Sequence, residues 1–246
     1  MAARSRSNSN GPPGAGPWFP APSMWNAAAK SGEPLTDDER AALAAIATVV
    51  RFKKGEKIFN EGDPVSAQFS IIDGVVKLYK EVGQKEHSAR FMFANDLIGL
   101  ADSGTYLNSA KAITATSLYK MPTRALEARL RQSPGLEFHI ITKLAHELRR
   151  TQDHARLMAK RHASAKIGMF IQMLEAHQDP ARTPSSELYL PMTRSDIGAY
   201  VGISAEAVSR GFAELARCGA ILLIDRHRLK ITDRAELDAV VAERNA

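Results

Sequence analysis

The 246-residue sequence lacks several features that define common protein classes. Its only cysteine, Cys218, excludes a disulfide framework, a four-cysteine zinc site and an iron–sulfur cluster held by this chain alone. No apolar run approaches the ~20 residues that a membrane-spanning helix requires. Glycine, proline and serine follow Arg4 and Arg6, where a signal peptide needs a continuous apolar core. The sequence therefore predicts a cytoplasmic protein without a membrane segment.

Catalytic and metal-binding motifs are also missing. The sequence contains no nucleophile elbow, phosphate-binding loop, HExxH motif or paired carboxylates of the kinds that carry enzyme chemistry. Four histidines at positions 139, 146, 154 and 162 are 7, 8 and 8 residues apart, a spacing that drifts around a helix and gives no i, i+4 metal pair. We therefore expect a non-enzyme with no metal and no cofactor, although ligation of a haem by one of these histidines stays open.

The charge of the chain is unevenly distributed. The net charge is +6, and residues 143–166 alone contribute +5, with seven Lys or Arg against two Asp or Glu. A concentration of positive charge favours polyanionic partners. The alternative is a helix face that is merely solvated.

Composition and periodicity divide the chain into four segments. Residues 1–34 hold six prolines and no apolar periodicity, and are predicted to be a disordered arm. Residues 35–132 are predicted to form a β-roll sensor domain, residues 133–163 a long dimerisation helix, and residues 164–246 a winged helix-turn-helix domain. The predicted fold class is α+β.

The segment 35–132 contains short apolar runs separated by glycines, a pattern that predicts short strands. Thr36 and Glu39 form a capping-box pattern ahead of an apolar helix face made by Leu43, Ile46 and Val50. Strands are then predicted at Ile58–Phe59, Phe69–Ile72, Val75–Tyr79, Phe91–Phe93, Leu97–Leu100 and Ala112–Tyr119. Turns are predicted at Gly55, Gly62, Gly74, Gly83 and Gly104. Even spacing of this kind is typical of a rolled antiparallel barrel.

A long helix follows, beginning with Ser133 as the N-cap and Pro134 in its first turn. One set of its residues recurs at alternating spacings of 3 and 4, which is the 3.5-residue period of two helices packed along their lengths. These seam residues are Ile141, Leu144, Leu148, Thr151, Ala155 and Met158, with His162 continuing the spacing. We interpret the seam as a homodimer contact; the alternative is a helix packed on its own domain.

Residues 193–212, TRSDIGAYVGISAEAVSRGF, carry the most specific motif. A helix-turn-helix needs a small residue where its helices cross, a glycine at the turn and an apolar residue facing back, and Gly198, Gly202 and Val208 occupy these places. An ordinary helical hairpin is the alternative. Two short predicted strands, 220–225 and 228–232, then flank Arg226 and His227 as a wing, which favours a winged DNA-binding domain.

The second helix of the motif presents a face suited to reading bases. Glu206, Ser209 and Arg210 fall at i, i+3 and i+4 and so share one face. Arginine donates two bonds to guanine, and glutamate accepts from cytosine. A Glu206–Arg210 surface ion pair is the alternative, and the two roles are compatible. The predicted phosphate contacts are Thr193, Arg194, Ser195, Ser204, Arg226, Arg228 and Lys230.

The whole chain from about residue 36 resembles the CRP/FNR family of bacterial transcription regulators, in its FNR and FixK branch. Residues 55–63 and 69–79 resemble the start of the family's sensor barrel, and Thr193–Gly198 with Glu206–Arg210 resembles its DNA-reading motif. The resemblance implies a homodimer that binds double-stranded DNA at a TTGAT-N4-ATCAA palindrome and contacts RNA polymerase. Recognition helices one DNA turn apart, ~34 Å, account for the symmetry of such a site.

The sequence departs from the family in the residues that bind the small-molecule signal. Members that bind cyclic AMP hold it with a Gly-Glu pair and an Arg-Ser pair, whereas this sequence has no arginine between Leu97 and Lys111. The residues predicted to line a vestigial effector pocket are Asn95, Asp96, Asn108, Ser109 and Thr151. Without a bidentate cation a cyclic phosphate loses its charge-assisted bonds, so we expect no small-molecule effector.

Two further signals of the family bear on this chain. The N-terminal cysteines of the FNR oxygen sensor are absent, and Cys218 is interpreted as a packing residue rather than a redox handle. The resemblance to FixK implies control of low-oxygen or nitrogen-oxide-related genes. The alternative is a ligand-gated member whose β-roll binds a haem, a nucleotide or a metabolite before the protein binds DNA.

Overall fold

The computed structural model describes residues 36–83, 85–101, 103–177 and 187–242, and the predicted N-terminal arm lies outside them. The first part of the chain forms the β-roll. Its elements in order are α1 (Asp37–Ala44), β1 (Thr48–Phe52), β2 (Lys57–Phe59), β3 (Ala67–Asp73), β4 (Val76–Val82), β5 (Lys85–Met92), β6 (Leu97–Ile98), β7 (Ser109–Ala112), β8 (Thr116–Pro122) and α2 (Thr123–Leu130).

Two four-stranded antiparallel sheets make up the roll, with strand orders β1-β8-β3-β6 and β2-β7-β4-β5. Aromatic side chains fill the space between them. The ring of Phe59 stacks on that of Tyr106 at 4.0 Å and lies 5.8 Å from that of Phe69. The Tyr106 hydroxyl donates to the carbonyl of Ala67, which satisfies its only polar group inside the core. The predicted α+β class and rolled antiparallel sheet are confirmed.

The local signals in this segment are confirmed. Thr36 and Glu39 close a capping box at the start of α1. The five glycines predicted to form turns all have positive φ. At Gly74 a Cβ atom would also lie 2.6 Å from the carbonyl oxygen of Ala115, so only glycine fits there.

Several predicted segments of the roll are wrong in their extent, and the strand predicted at Phe91–Phe93 begins six residues earlier, as β5 (Lys85–Met92). The apolar face of α1 does not reach Val50, because the helix ends at Ala44 and Val50 pairs with Leu118 in β1, a strand that was not predicted. The segment 112–119 is two strands rather than one, since the chain turns at residues 113–115. That turn is stabilised by hydrogen bonds to a residue distant in the sequence: Ile113 N–H donates to the Val75 carbonyl (2.9 Å), and Val75 N–H donates to Thr114 Oγ1 (2.8 Å). The strand predicted at Leu97–Leu100 stops at Ile98 (β6), because Gly99 takes a φ of +84° and leaves the strand conformation.

The long helix α3 spans Pro134–Met158, and Ser133 caps it as predicted, accepting a hydrogen bond from Leu136 N–H. It is shorter than the predicted 133–163, because the chain bends after the C-cap Ala159 and begins α4 (Ala163–His177). His162 therefore lies outside the helix and does not extend the seam. Among the described residues, no helix combines the length and apolar character needed to cross a membrane.

The remaining elements form a small domain around one apolar core. In order they are β9 (Glu187–Tyr189), α5 (Arg194–Val201), α6 (Ala205–Arg217), β10 (Ile221–Leu223), β11 (Arg228–Ile231) and α7 (Arg234–Val241). The sheet order is β10-β11-β9, so the predicted two-stranded wing has a third strand. The core of this domain continues into the roll through Phe91, Phe93 and Ile113. The winged domain is thus packed directly on the β-roll.

Candidate nucleic-acid interface

The helix-turn-helix is built by the residues that the motif predicts. Thr193 caps α5 and closes a capping box with Asp196, whose N–H donates to Thr193 Oγ1 at 3.1 Å. A Cβ atom on Gly198 would lie 2.6 Å from the carbonyl oxygen of Ile203, so the crossing point tolerates only glycine. Gly202 ends α5 in the left-handed conformation, with φ of 70°. The helix-turn-helix prediction is confirmed.

The recognition helix α6 is anchored along one side. Ser204 caps it by accepting from Ala207 N–H at 3.2 Å, and Val208 and Phe212 are buried in the shared core. At Gly211 the helix backbone lies against α4, because a Cβ atom there would be 3.0 Å from the carbonyl oxygen of Ala163. The opposite side of the helix is left to solvent.

That outer side carries Glu206, Ser209 and Arg210, which are all exposed. The Ser209 hydroxyl donates to the carbonyl of Ala205 at 3.0 Å, within its own helix. Bonds from its own backbone N–H and from the Ser204 hydroxyl lower the pKa of Glu206, with a smaller contribution from the charge of Arg210. In the described part of the chain, no ion pair within 4.0 Å joins Glu206 to Arg210. The alternative of a surface ion pair is therefore not formed, and both side chains are exposed to solvent.

The predicted phosphate contacts divide into two groups. Those exposed at helix starts or on the wing are Thr193, Ser195, Ser204, Arg226 and Lys230. The remaining two are arginines whose guanidinium groups contact other groups of the protein, just as the hydroxyls of Thr193 and Ser204 cap their helices. The Arg194 guanidinium is half-buried with its carbon 3.8 Å from the centroid of the Phe212 ring, and Arg228 Nε donates to Asp225 Oδ2 at 2.8 Å. Their role towards phosphates remains a prediction.

The predicted seam lies on the solvent side of α3. Ile141 and Leu148 are 59% and 61% exposed, Phe138 is 67% exposed, and Leu136 and Leu157 on the other side are buried. The exposed members of the predicted seam are Ile141, Leu144, Leu148, Thr151, Ala155 and Met158. An apolar stripe of this length contradicts the alternative that the seam packs on its own domain, since that packing would bury it.

Three of the five residues predicted to line an effector pocket use their side chains in other contacts. Asp96 accepts from Phe93 N–H and from Arg150 Nη1, both at 2.8 Å. Ser109 Oγ is buried and accepts from Glu61 N–H at 3.0 Å. Thr151 is exposed and donates back to its own helix, at the carbonyl of Glu147.

Asn95 and Asn108 complete the predicted set and are partly exposed. Asn95 has a φ of 71° and its carbonyl accepts from the partly buried Lys143 ammonium group at 3.0 Å. Among the described residues, no side-chain hydrogen bond joins any two of the five predicted pocket residues. The turn that carries Asn95 and Asp96 is instead held by Lys143 and Arg150 of α3.

Sequence reasoning missed these two cations and also the three basic residues that hold the helix-turn-helix in place. Lys77 of β4 binds Asp196, His154 of α3 bonds the carbonyl of Tyr200, and Lys166 of α4 donates to the carbonyl of Val201. Each contact spans more than thirty positions of sequence, so no local pattern reveals it.

Comparisons with known proteins agree with this geometry. Residues 49–133 match the family described as "Cyclic nucleotide-binding domain", and residues 165–240 match the "Crp-like helix-turn-helix domain". The structure of FixK2 from Bradyrhizobium japonicum superposes with a TM-score of 0.72 at 25% identity, covering 78% of this chain and 96% of that one. A structure of CooA from Carboxydothermus hydrogenoformans shares the fold, with a TM-score of 0.68 at 14% identity over 84% of this chain and 92% of that one.

Curated relatives are similar over most of the chain. The nitrogen fixation regulation protein FixK of Bradyrhizobium diazoefficiens is 30% identical over 194 residues, which cover 78% of this chain and 81% of that protein. The transcriptional activator protein anr of Pseudomonas aeruginosa is 30% identical over 192 residues, or 76% and 78% of the two chains. With its exposed recognition helix and these relatives, the chain belongs to the CRP/FNR family and is a DNA-binding transcription regulator.

Proposed function

We propose that this regulator acts as a homodimer that reads a TTGAT-N4-ATCAA palindrome without a small-molecule effector, and that it then contacts RNA polymerase at low-oxygen or nitrogen-oxide-related genes. The observation that carries the proposal is the outer face of α6. There Glu206 and Arg210 are exposed with no ion pair to each other, and Ser209 lies between them. A glutamate and an arginine in this arrangement match the edges of cytosine and guanine in the major groove.

The homodimer is supported by the exposed stripe on α3. Leu148 and Ile141 lie on a 3.5-residue period, so a second copy of the helix buries both on both chains. A two-fold symmetric protein matches a palindromic site, because each recognition helix then reads one half-site.

Independence from an effector is supported by the contacts of the turn between β5 and β6. Asp96 already has a cation at 2.8 Å in Arg150, and Lys143 holds the carbonyl of Asn95. The contact between long helix and roll that a ligand would have to organise is thus made by the chain itself. Thr151 is exposed to solvent, and its hydroxyl donates to a carbonyl of its own helix rather than to this turn.

The deciding experiment is fluorescence anisotropy of the ligand-free protein on the palindrome and on a scrambled duplex at one near-physiological salt concentration. We expect a preference of ~10³-fold or more for the palindrome, the usual range of specific binders. Equal and weak binding to both duplexes would contradict effector independence or the half-site sequence. An absorbance spectrum and a nucleotide analysis of the purified protein would then separate these, because a bound haem or nucleotide identifies a ligand-gated regulator.

A further inference from the structure

The first helix of the helix-turn-helix is held at both ends by basic side chains from outside the winged domain's own motif. At its start, Lys77 Nζ of β4 lies 2.5 Å from Asp196 Oδ1. At its end, the carbonyls of Tyr200 and Val201 bond His154 Nε2 (2.7 Å) and Lys166 Nζ (3.0 Å). The last carbonyls of a helix have no partners within it, so hydrogen-bond donors from other elements stabilise them. The helix α5 is thus held by three side chains, one from the β-roll and one from each of the helices α3 and α4.

Of these three side chains, Lys77 is the one that belongs to the β-roll. It is only 4% exposed, and it has a second anion, Glu86 of β5, on its own hairpin. Lys111 of β7 also pairs with Glu86. The four groups together are neutral, with two cations and two anions in contact. Burial alone would lower the pKa of Lys77, but bonds to Asp196 and Glu86 outweigh it and raise that pKa, so the ammonium form is the one present.

Asp196 divides its two oxygens between two tasks. Oδ2 accepts from Thr193 N–H at 3.1 Å and from Thr193 Oγ1 at 2.7 Å, which closes the capping box. Oδ1 binds Lys77. The contact with the roll therefore acts on the first turn of α5 itself and not on a flexible surface side chain.

A short chain of contacts leads from this turn to the reading helix. Arg194 follows the cap Thr193 directly, and its guanidinium stacks on the ring of Phe212 in α6. Phe212 is buried, two positions along the chain from the exposed Arg210. A shift at the start of α5 is therefore carried to the backbone that presents the reading face.

We propose that Lys77 is a positioning residue for DNA reading: it binds the capping carboxylate of Asp196 and so fixes the orientation of the winged domain on the β-roll. In this orientation Glu206, Ser209 and Arg210 all face solvent, so the contact favours a state that is open to DNA. Its consequence for DNA affinity rests on the proposed function; its consequence for domain orientation does not.

The test compares two substitutions of equal size at one position. The N3 position of a capping box, three residues after the N-cap, is ordinarily Glu or Gln. Asp196→Glu and Asp196→Gln therefore both preserve the cap, and only Asp196→Glu preserves the negative charge that pairs with Lys77. Lys77→Met removes the same pair from the other side and leaves the capping box untouched. Glu39→Gln makes the same chemical change in the capping box of α1, away from the winged domain, and serves as the control.

Orientation is measured as a spin–spin distance. The native Cys218 is exposed at the end of α6, and Lys54→Cys adds an exposed site on the roll. Doubly labelled protein is diluted tenfold with unlabelled protein, so that distances within one chain dominate double electron–electron resonance. We expect one narrow distribution for the parent, Asp196→Glu and Glu39→Gln, and a broader or displaced one for Asp196→Gln and Lys77→Met.

DNA binding is then measured on unlabelled protein. We expect Asp196→Gln and Lys77→Met to lose about tenfold in affinity for the palindrome, while affinity for a duplex with a single half-site is unchanged, because one winged domain reads a half-site in any orientation. Unchanged distances in both variants would overturn the proposal, as would changed distances with unaltered palindrome affinity. If the parent itself shows no preference for the palindrome, the proposed function fails, and the distances still decide whether Lys77 orients the domain.

Discussion

The outer face of α6 and the turn between β5 and β6 are both predicted binding surfaces, yet their side chains are used in opposite ways. On α6, Glu206 and Arg210 are exposed and form no ion pair with each other. In the turn, Asp96 is bound by Arg150 and the Asn95 carbonyl by Lys143. Exposed charges that form no ion pair are available to a partner from outside. Charges satisfied within the chain are part of the fold, and a binding prediction made from residue types alone does not distinguish the two.

Among changes that test the proposed DNA-binding surface, breaking the dimer is expected to have the largest effect on affinity for the palindrome. Leu148→Glu places two carboxylates in the proposed seam, where like charges repel, so the dimer dissociates and the avidity of two joined reading heads is lost. We expect palindrome affinity to fall by at least ~100-fold, the lower range of that avidity, with the free energy of unfolding of each chain little changed. Sedimentation velocity and anisotropy measure the two effects. Arg149→Glu, exposed and off the seam, should remain dimeric; a dimeric Leu148→Glu would place the interface elsewhere.

Removing one reading group has the next largest effect. Arg210→Ala should cost about 1–3 kcal/mol of binding free energy and flatten the preference at a single base pair. Anisotropy on a set of duplexes, each with one base pair changed in the half-site, measures this. If the variant binds every duplex more weakly by the same factor, Arg210 contacts a phosphate instead.

At the other surface, Arg150→Met should act on stability and not on reading. It leaves the Asp96 carboxylate partly buried without its cation, which should lower the free energy of unfolding by about 1–3 kcal/mol. Urea unfolding gives this value. The preference for the palindrome over a scrambled duplex should persist below the transition, and the protein should stay indifferent to added cyclic AMP. A variant that came to need the nucleotide would show that the turn is an effector site which Arg150 blocks.

The smallest expected effect is a pH dependence near the same turn. The ring of His177 lies 4.5 Å from that of Phe93, bonds the Met173 carbonyl and faces Arg150, Asp96 and Glu147. Burial chiefly, and the charge of Arg150, lower the pKa of His177. The unfolded chain therefore binds this proton at a higher pH than the folded one, so the contribution of neutral His177 is present above its ordinary pKa of 6.5 and is lost as the pH falls below it.

We expect His177→Asn to reduce the loss of unfolding free energy between pH 7.5 and 5.5, by less than the ~1.4 kcal/mol per pH unit that one full proton gives. Urea titrations at several pH values test it. His146, whose pKa is also lowered, is present in both proteins, so the difference isolates His177. Parallel pH profiles for the two proteins would refute the assignment.

Features set by neighbouring residues were predictable from the sequence. Thr193 and Ser204 cap their helices, Gly198 and Gly202 sit where close approach and positive φ require glycine, and these are properties of short stretches of chain. The exposed seam was equally visible, because helical periodicity alone places Ile141, Leu144 and Leu148 on one side.

Features set by distant partners were not predictable. The turn at 113–115 contains no glycine or proline and depends on Val75. The strand β1 continues an apolar period that resembles a helix, and pairing with β8 decides it. The same holds for Lys77, whose sequence neighbours do not reveal that a helix 119 positions away covers it. The exposed outer face of α6 was thus predictable from the sequence, whereas the contacts that orient this helix on the β-roll were not.

The bare backbone of Gly211 sets how far the reading face stands out from the protein. With no side chain there, α6 settles onto Ala163 and Ile167, each 3.0 Å from where a Cβ atom would be. A methyl group would lift the helix by a few tenths of an ångström. Hydrogen bonds to bases operate within a window of about half an ångström, 2.7–3.2 Å. The absence of a side chain at Gly211 therefore sets the height at which the outer face of α6 stands above the protein, on the same scale as the tolerance of the base contacts proposed for it.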